Sequence, residues 1–202
     1  MKRFLSILIL SAMLLSLISC GEKNREYDES EVIYAAERLI RRSKILNEIY
    51  WGEGIRYYED AAFANGKYYP ADPEHLLEVG FETVDDLKTI TKNTFSASYS
   101  ESIFESKLSS SREEEYFGYA RYYQGIDRIM VYSDAASFLN DEVKYLYDTL
   151  EAVGSRGEVV FVKLSVEISD GENTQTRELE VGLIEEEDGW KIDTPTYMSY
   201  QK

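Results

Sequence analysis

Cysteine and histidine are almost absent from this chain of 202 residues, which contains one cysteine, Cys20, and one histidine, His75. A single cysteine cannot form a disulfide within the chain, so the stability of the fold has to come from a hydrophobic core. Structural zinc sites take four Cys or His ligands, which these two residues cannot supply. The composition therefore excludes a disulfide-stabilised domain and the common zinc sites.

Catalytic motifs are also lacking. The chain has no Gly-x-Ser-x-Gly nucleophile elbow, no His-Glu-x-x-His motif and no phosphate-binding loop. His75 follows Asp72, Pro73 and Glu74, which is typical of a surface histidine, whereas a general base needs an orienting partner. Carboxylates are plentiful, so the sequence alone does not exclude a pair of carboxylates that acts as acid and base, as in glycosidases. We expect a protein that is not an enzyme and that uses no cofactor.

The first 20 residues of the chain carry a recognisable pattern. Lys2 and Arg3 precede an apolar run over residues 4–18, which is the pattern of an export signal. This run is shorter than the roughly 20 residues that a membrane-spanning helix needs. The tetrapeptide 17–20, Leu-Ile-Ser-Cys, resembles a bacterial lipobox, which implies cleavage before Cys20 and a lipid on its sulfur. An ordinary signal peptide with a chance cysteine remains the alternative.

This leader predicts the organisation of the chain and its location. We expect a lipoprotein signal peptide over residues 1–19, a polar tether over 20–29 and one domain over 30–202. Lipid on Cys20 would hold that domain at the outer face of a bacterial membrane, in the cell envelope. The formal charge of the whole chain is −16, and loss of Lys2 and Arg3 with the leader brings it to −18. Such a charge disfavours nucleic acid and favours cationic partners.

Apolar periodicity predicts an α+β fold with its helices first. Ser30 is an expected N-cap of a long amphipathic helix that ends at Trp51-Gly52, and Thr83 is an expected cap of a short one. A further helix is expected over 98–108, and a polar solvated loop over 109–115. An extended segment is expected over 68–73, because two prolines interrupt it.

Strands are expected in the second half of the chain. The segments 126–133 and 145–153 are rich in β-forming residues, and strict alternation marks 160–168 and 179–183. Trp190 and Ile192 are expected on the apolar face of a last strand, after an Asp188-Gly189 turn. We predict N-terminal helices packed on a C-terminal, strongly bent antiparallel sheet, with the long helix covering its apolar face.

Aromatic pairs and acidic runs are the candidate contact residues. The candidate aromatic residues are Trp51, Tyr57, Tyr58, Tyr68, Tyr69 and Tyr122. These rings either line a ligand pocket or a protein interface, or alternate between core and rim along strands. The acidic run Glu185, Glu186, Glu187 and Asp188 lies in an expected turn, where it is either solvated or in contact with a basic partner or calcium.

The end of the chain resembles a known hairpin. The segments 179–184 (LEVGLI) and 188–193 (DGWKID) are similar to the closing hairpin of NTF2-like, or cystatin-like, extracytoplasmic domains. This resemblance covers about 20 residues and implies a cone-shaped domain that binds a small ligand or a peptide in its mouth.

A second resemblance covers more of the chain. The helix end 49–54 (IYWGEG), the segment 83–88 (TVDDLK) leading to 94–96 (TFS), and the ending 190–197 (WKIDTPTY) together resemble the IseA-type inhibitors of DL-endopeptidases. This resemblance implies a secreted, non-catalytic protein that blocks a peptidoglycan-cleaving hydrolase, and it transfers no site residue. The leading hypothesis is a lipid-anchored inhibitor or regulator of a cell-wall hydrolase, and the alternative is an NTF2-like ligand-binding domain.

Overall fold

A computed structural model describes residues 25–61, 67–109, 120–135, 137, 139 and 141–198. The predicted signal peptide, Cys20 and nearly all of the loop expected over 109–115 lie outside these residues. Within the described residues, no helix combines the length and the hydropathy that crossing a membrane requires.

The long amphipathic helix is present as α1, Glu29–Trp51. Its N-cap is Asp28 and not Ser30, because a carboxylate oxygen of Asp28 accepts hydrogen bonds from the backbone N–H groups of Ser30 and Glu31 at 2.9 and 3.1 Å. A carboxylate at this position accepts hydrogen bonds from two N–H groups that have no partner within the helix, and its negative charge interacts favourably with the positive end of the helix dipole. The helix ends at Gly52, as the sequence predicts.

Three shorter helices follow: α2 (Pro73–Val79), α3 (Val84–Lys92) and α4 (Ala97–Lys107), with a 3-10 turn at Glu59–Ala61. Each begins at a side chain that accepts a hydrogen bond from its first turn, namely Asp72, Thr83 and Ser96. The helix predicted from Thr83 is confirmed, and the helix predicted over 98–108 begins one residue earlier.

A four-stranded antiparallel meander forms the C-terminal half. Its strands are β5 (Glu142–Arg156), β6 (Val159–Ser169), β7 (Thr174–Glu186) and β8 (Gly189–Ile192), paired in that order. The residues predicted to point inward from β6 and β7 are all buried. They are Val160, Val162, Leu164, Val166, Ile168, Leu179, Val181 and Leu183. The helix α1 packs against β5 and β8, so it covers this sheet as predicted.

Two register shifts interrupt the pairing of β5 with β6, one between Leu146 and Glu151 and one between Ala152 and Gly154. In the first gap, the hydroxyl of Thr149 accepts a hydrogen bond from the backbone N–H of Ser165 at 2.8 Å and replaces a missing ladder bond. Bulges of this kind bend a strand and increase its twist.

A second sheet, which the sequence did not predict, joins distant segments. It contains β1 (Tyr68–Pro70), β4 (Ile129–Tyr132), β3 (Tyr122–Gln124) and β2 (Leu108–Ser109), in that spatial order. The β2–β3 pair is parallel and the other pairs are antiparallel. The α+β class with N-terminal helices and a C-terminal sheet is confirmed.

A buried arginine joins this small sheet to α1. Arg121 is 5% exposed, and its guanidinium donates to the carbonyl oxygens of Tyr50 and Gly52 at 3.1 and 2.6 Å. The adjacent Tyr122 donates its hydroxyl to the carbonyl of Ile49 at 2.7 Å. These bonds satisfy the last carbonyls of α1 and place a cation at the negative end of its dipole.

Candidate functional site

The tip of the β3–β4 hairpin, residues 125–128, projects the most exposed apolar side chain among the described residues. Ile126 has a relative exposure of 106%. The turn is closed by a hydrogen bond from the N–H of Gly125 to the carbonyl of Arg128 at 2.8 Å. The carboxylate of Asp127 accepts two bonds from Arg128, at 3.0 and 2.6 Å. Ile126 is thus held outward on a short, internally bonded turn.

The base of this hairpin is anchored in the core. Ile129, opposite Gln124 in the ladder, is fully buried, and its carbonyl accepts from the N–H of Ala71 at 2.9 Å. The side-chain oxygen of Gln124 accepts from the N–H of Val84 at 3.0 Å, which links the hairpin to the start of α3. A fixed base means that the tip loses little conformational freedom when it binds a partner.

The surroundings of the tip are apolar with acidic neighbours. A depression of about 400 Å³ is lined by Leu77 and by Asp127 and Arg128 of the tip. Leu77 is 68% exposed, and Glu74 and Glu78 on the same helix are also exposed. Exposed Leu and Ile side chains within an acidic rim are suited to an apolar groove with basic edges.

A second concave region, the polar cleft, lies between α1, the start of β5 and the segment 197–198. Its volume is about 550 Å³, and Arg41, Lys44, Asn47, Tyr145, Tyr147 and Tyr197 are among its lining residues. The guanidinium of Arg41 lies 3.7 Å from the ring centre of Tyr147 and donates to the carboxylate of Glu37 at 2.7 Å. The wall of the cleft is therefore fixed by a stacked cation and an ion pair.

The floor of the polar cleft is a chain of buried hydrogen bonds. Asn47 donates through Nδ2 to the hydroxyl of Thr196 at 3.0 Å, and Thr196 donates to the hydroxyl of Ser43 at 2.7 Å. Ser43 in turn donates to the carbonyl of Ile40 at 2.9 Å. The direction of this chain leaves Oδ1 of Asn47, a residue only 4% exposed, without a donor among the described residues.

Tyr145 closes the floor beside Asn47. Its hydroxyl donates to the carbonyl of Thr196 at 2.8 Å. Burial raises the pKa of Tyr145 to about 12, and hydrogen bonding with the Asn47 side chain opposes that rise. The phenol is therefore a neutral group that is fully protonated at physiological pH.

Two of the predicted contact tyrosines are core residues. Tyr122 is fully buried, and Tyr68 is 8% exposed and donates its hydroxyl to the carbonyl of Ala120 at 2.7 Å. Their chain neighbours Tyr123 and Tyr69 are only partly buried. In both pairs of neighbouring tyrosines, one ring therefore points into the core and the other toward the surface. The expectation that Tyr68 and Tyr122 contact a partner is wrong, because both side chains are buried.

The other predicted aromatic residues form two separate groups. The rings of Tyr57 and Tyr69 lie 5.1 Å apart, and Tyr58, which is 48% exposed, donates its hydroxyl to the carboxylate of Asp72. Trp51 belongs to a different group at the end of α1, 4.8 Å from the ring of Tyr197. The structure therefore does not bring the six residues together into one lining.

The predicted acidic surface is largely occupied by contacts within the fold. Glu185 pairs with Arg25, Glu186 accepts the N–H of Ala97 at 2.7 Å, and Asp188 accepts from Lys191 at 2.7 Å. The hydrogen bond from Lys191 holds the pKa of Asp188 below its usual value. Glu187 is the one member exposed without such a contact among the described residues. Within those residues, no three His, Cys, Asp or Glu side chains are grouped to hold a metal ion.

His75 is partly buried, and its Nδ1 accepts the backbone N–H of Arg56 at 2.9 Å. This bond ties the side chain of His75 to the backbone of Arg56 and gives the ring a structural role.

Sequence reasoning missed the hairpin tip and the polar cleft. Ile126 lay at the start of a predicted strand, but β4 begins only at Ile129, so Ile126 falls in the turn. The sequence feature that could have indicated this turn is the position of Ile126 between Gly125 and Asp127, two residue types that favour turns. The signal for the cleft was Asn47, a polar residue on the apolar face of α1.

Two segments that carry the resemblance to IseA-type inhibitors contact each other. The N–H of Ser96 donates to the carbonyl of Ile192 at 2.8 Å, and the N–H of Ile192 donates to the carbonyl of Thr94 at 3.0 Å. The hydroxyl of Ser96 also donates to the carboxylate of Asp193. Comparison of the chain with protein-family models and with curated proteins finds no match. Both family resemblances therefore remain proposals.

Proposed function

We propose that this chain is a lipid-anchored extracytoplasmic binding protein that inhibits or regulates a cell-wall hydrolase of the DL-endopeptidase type. The proposal combines the lipobox-like sequence at Cys20, the resemblance to IseA-type inhibitors and the geometry of the β3–β4 hairpin.

The observation that carries the proposal is the full exposure of Ile126 on a hairpin whose base is buried. A bulky aliphatic side chain exposed to water contributes nothing to the stability of the free domain, but it gains about 1.5–3 kcal/mol when a partner buries it. Inserted into the substrate groove of a hydrolase, Ile126 and Leu77 would bury apolar surface and block access to the peptide substrate. Glu74 would then face the basic edge of the groove.

The proposed anchor also limits how far the domain stands from the membrane. The backbone N–H of Arg25 donates to the carbonyl of Gly157 at 3.2 Å, and its carbonyl accepts from the hydroxyl of Ser155 at 3.0 Å. Its guanidinium pairs with Glu185 and lies 5.1 Å from the ring of Trp190. Only the chain between Cys20 and Arg25 is left as a spacer, and at about 3.5 Å per residue it spans at most about 17 Å.

Inhibition is tested by mixing the purified mature chain, in detergent, with a DL-endopeptidase and peptidoglycan and measuring release of soluble muropeptides. We expect turnover to fall as the chain is added. Replacing Ile126 by alanine removes three buried carbons in the complex, at about 0.8 kcal/mol each, so the inhibition constant should rise about fiftyfold.

Val153→Ala is the matched control, because Val153 is also an exposed aliphatic residue, 44% accessible, but belongs to the other sheet. Its inhibition constant should equal that of the wild type. Unaltered turnover across a panel of endopeptidases would refute inhibition. Inhibition that Ile126→Ala leaves unchanged would refute the role of the hairpin tip.

The anchor is tested separately. The wild-type chain should partition with membranes and show an acylated N-terminus at Cys20 by mass spectrometry, and Cys20→Ser should abolish both. A mature wild-type product with an intact, unmodified leader would refute lipid anchoring.

A further inference from the structure

Three shallow depressions adjoin one another on the face formed by α1, α2 and α3. The first is the depression of about 400 Å³ beside the hairpin tip, and the second, of about 480 Å³, shares Leu77 and Glu82 with it. The third, of about 320 Å³, shares Phe81 and Ile90 with the second and reaches Arg42 on α1. Together they form one continuous groove, the helical groove, which runs from the hairpin tip to the middle of α1.

Exposed apolar side chains are concentrated along the helical groove. Ile126 stands at its tip end, Leu77 lies in its first two depressions, and Ile45 lies in its third. These three are half of the six large apolar side chains that are exposed among the described residues. Phe81, which is only 4% exposed, lines the second and third depressions between them. A connected apolar strip of this kind indicates a surface that binds another protein.

The tip end of the helical groove is acidic. Its lining includes Glu82 and Asp86, both on the exposed surface. The hydrogen bond from the Thr83 hydroxyl holds the pKa of the Asp86 carboxyl below its usual value, so this group stays ionised at neutral pH. Asp127 and Arg128 also line this end, but their ion pair leaves no net charge.

The opposite end of the helical groove is cationic. Arg42 is the one charged residue in the lining of the third depression among the described residues. Its guanidinium donates to the carbonyl of Asn93 at 3.3 Å, which positions the group without neutralising its charge. Arg38 is exposed one turn earlier on the same face of α1 and adds a second positive charge. In a chain with a net charge of −16, this end therefore differs in sign from the rest.

We propose that the helical groove binds a linear segment of a protein partner that is basic at one end, apolar in the middle and acidic at the other end. The basic end lies against Glu82 and the acidic end against Arg42. The apolar middle covers Leu77, Ile90 and Ile45. Only the identity of the partner as a cell-wall hydrolase rests on the proposed function, because the groove and its charges belong to the helices themselves.

The test is a calorimetric titration of the mature chain, held in nanodiscs of zwitterionic lipid, with the peptide Lys-Lys-Leu-Ala-Leu-Ala-Glu-Glu blocked at both ends. Ile45→Ser should weaken binding about tenfold, because the exposed half of this side chain is buried in the complex. Val153→Ser is the matched control, since Val153 is 44% exposed and Ile45 48%, and it should bind like the wild type. Because both residues are exposed, neither change should alter the thermal unfolding midpoint.

The direction of the bound segment is tested with a second peptide. Replacing its two glutamates by glutamine should weaken binding to the wild type about threefold, as for the loss of one exposed ion pair. The same replacement should leave binding to the Arg42→Gln variant unchanged, because the partner of those glutamates is then absent. An equal loss in both proteins would overturn the placement of the acidic end at Arg42.

The remaining outcomes separate this proposal from inhibition of a hydrolase. Lack of binding at millimolar peptide, or binding that Ile45→Ser leaves unchanged, would overturn the groove even if the chain inhibits an endopeptidase. Peptide binding that Ile45→Ser weakens would support the groove even if no endopeptidase of the panel is inhibited. Where inhibition is observed, Ile45→Ser should raise the inhibition constant by the same factor as it weakens peptide binding.

Discussion

Removal of the Tyr122 hydroxyl should be more destabilising than removal of a comparable buried hydroxyl elsewhere in the core. This oxygen donates to the carbonyl of Ile49 at 2.7 Å and accepts from the N–H of Ile55 and from Nε of Arg121, both at 3.1 Å. Tyr122→Phe keeps the ring in place and leaves all three partners buried without a bond. Burial raises the pKa of Tyr122 above its usual value, so the hydroxyl keeps its proton in an assay at neutral pH.

The magnitude follows from the number of unsatisfied partners. A buried polar group that loses its only partner costs about 1–3 kcal/mol, so three groups at the lower limit give about 3 kcal/mol. Tyr50→Phe is the matched control, because Tyr50 is equally buried but, among the described residues, its hydroxyl is hydrogen-bonded only to Oγ1 of Thr91, at 2.8 Å. That hydroxyl of Thr91 already donates to Leu87, so the control removes one acceptor contact and should cost about 1 kcal/mol.

The assay is urea unfolding at neutral pH followed by circular dichroism, with the free energy extrapolated to water. The slope against urea should be the same for wild type and both variants, because the surface exposed on unfolding does not change. A loss in Tyr122→Phe that is no greater than the loss in Tyr50→Phe would refute the reasoning. It would mean that the junction of α1 with the small sheet does not depend on this oxygen.

Two further predictions concern alkaline stability and helix capping. Because the pKa of Tyr145 is raised from 10.0 to about 12 in the fold, its contribution to stability is complete below pH 10 and is lost as the pH rises toward 12. Tyr145 should contribute up to about 1.4 kcal/mol per pH unit to the fall in the free energy of unfolding over this interval, and other buried tyrosines with raised pKa values, such as Tyr122, add their own shares. The fall should therefore be less steep in Tyr145→Phe by about that amount. Thr83→Ala removes the acceptor of the Asp86 N–H at the start of α3 and should cost about 1 kcal/mol in urea unfolding. Thr89→Ala within the same helix is the control, with an expected change below about 0.5 kcal/mol.

The spacing of apolar residues predicted those helices and strands that are determined by the residues within the element itself. Alternation of apolar residues over 160–168 predicted β6, because every inward side chain is buried against the same core. The spacing from Val32 to Tyr50 predicted α1 for the same reason. The cap was misplaced by two residues because Asp28 and Ser30 are both good N-caps, and only the geometry decides between them.

The small sheet could not be predicted, because its pairing depends on contacts far apart in the chain. Tyr68 pairs with Tyr132, and Leu108 pairs in parallel with Tyr122. These strands contain two to four residues each, too few to show a period of two. The exposure of Ile126 follows from where β4 begins, so it too depended on the unpredicted sheet.

Part of the aromatic composition has a structural role in and beside the small sheet. Tyr50 and Tyr122 are buried where the end of α1 meets the small sheet, and Tyr68 is buried within that sheet. The hydroxyls of all three bond to groups inside the fold. Large rings with a polar end suit such a place, because a helix terminus leaves carbonyl groups that apolar side chains cannot satisfy. The 17 tyrosines of the chain therefore cannot all be counted as contact residues for a partner, because at least these three are buried and bonded within the fold.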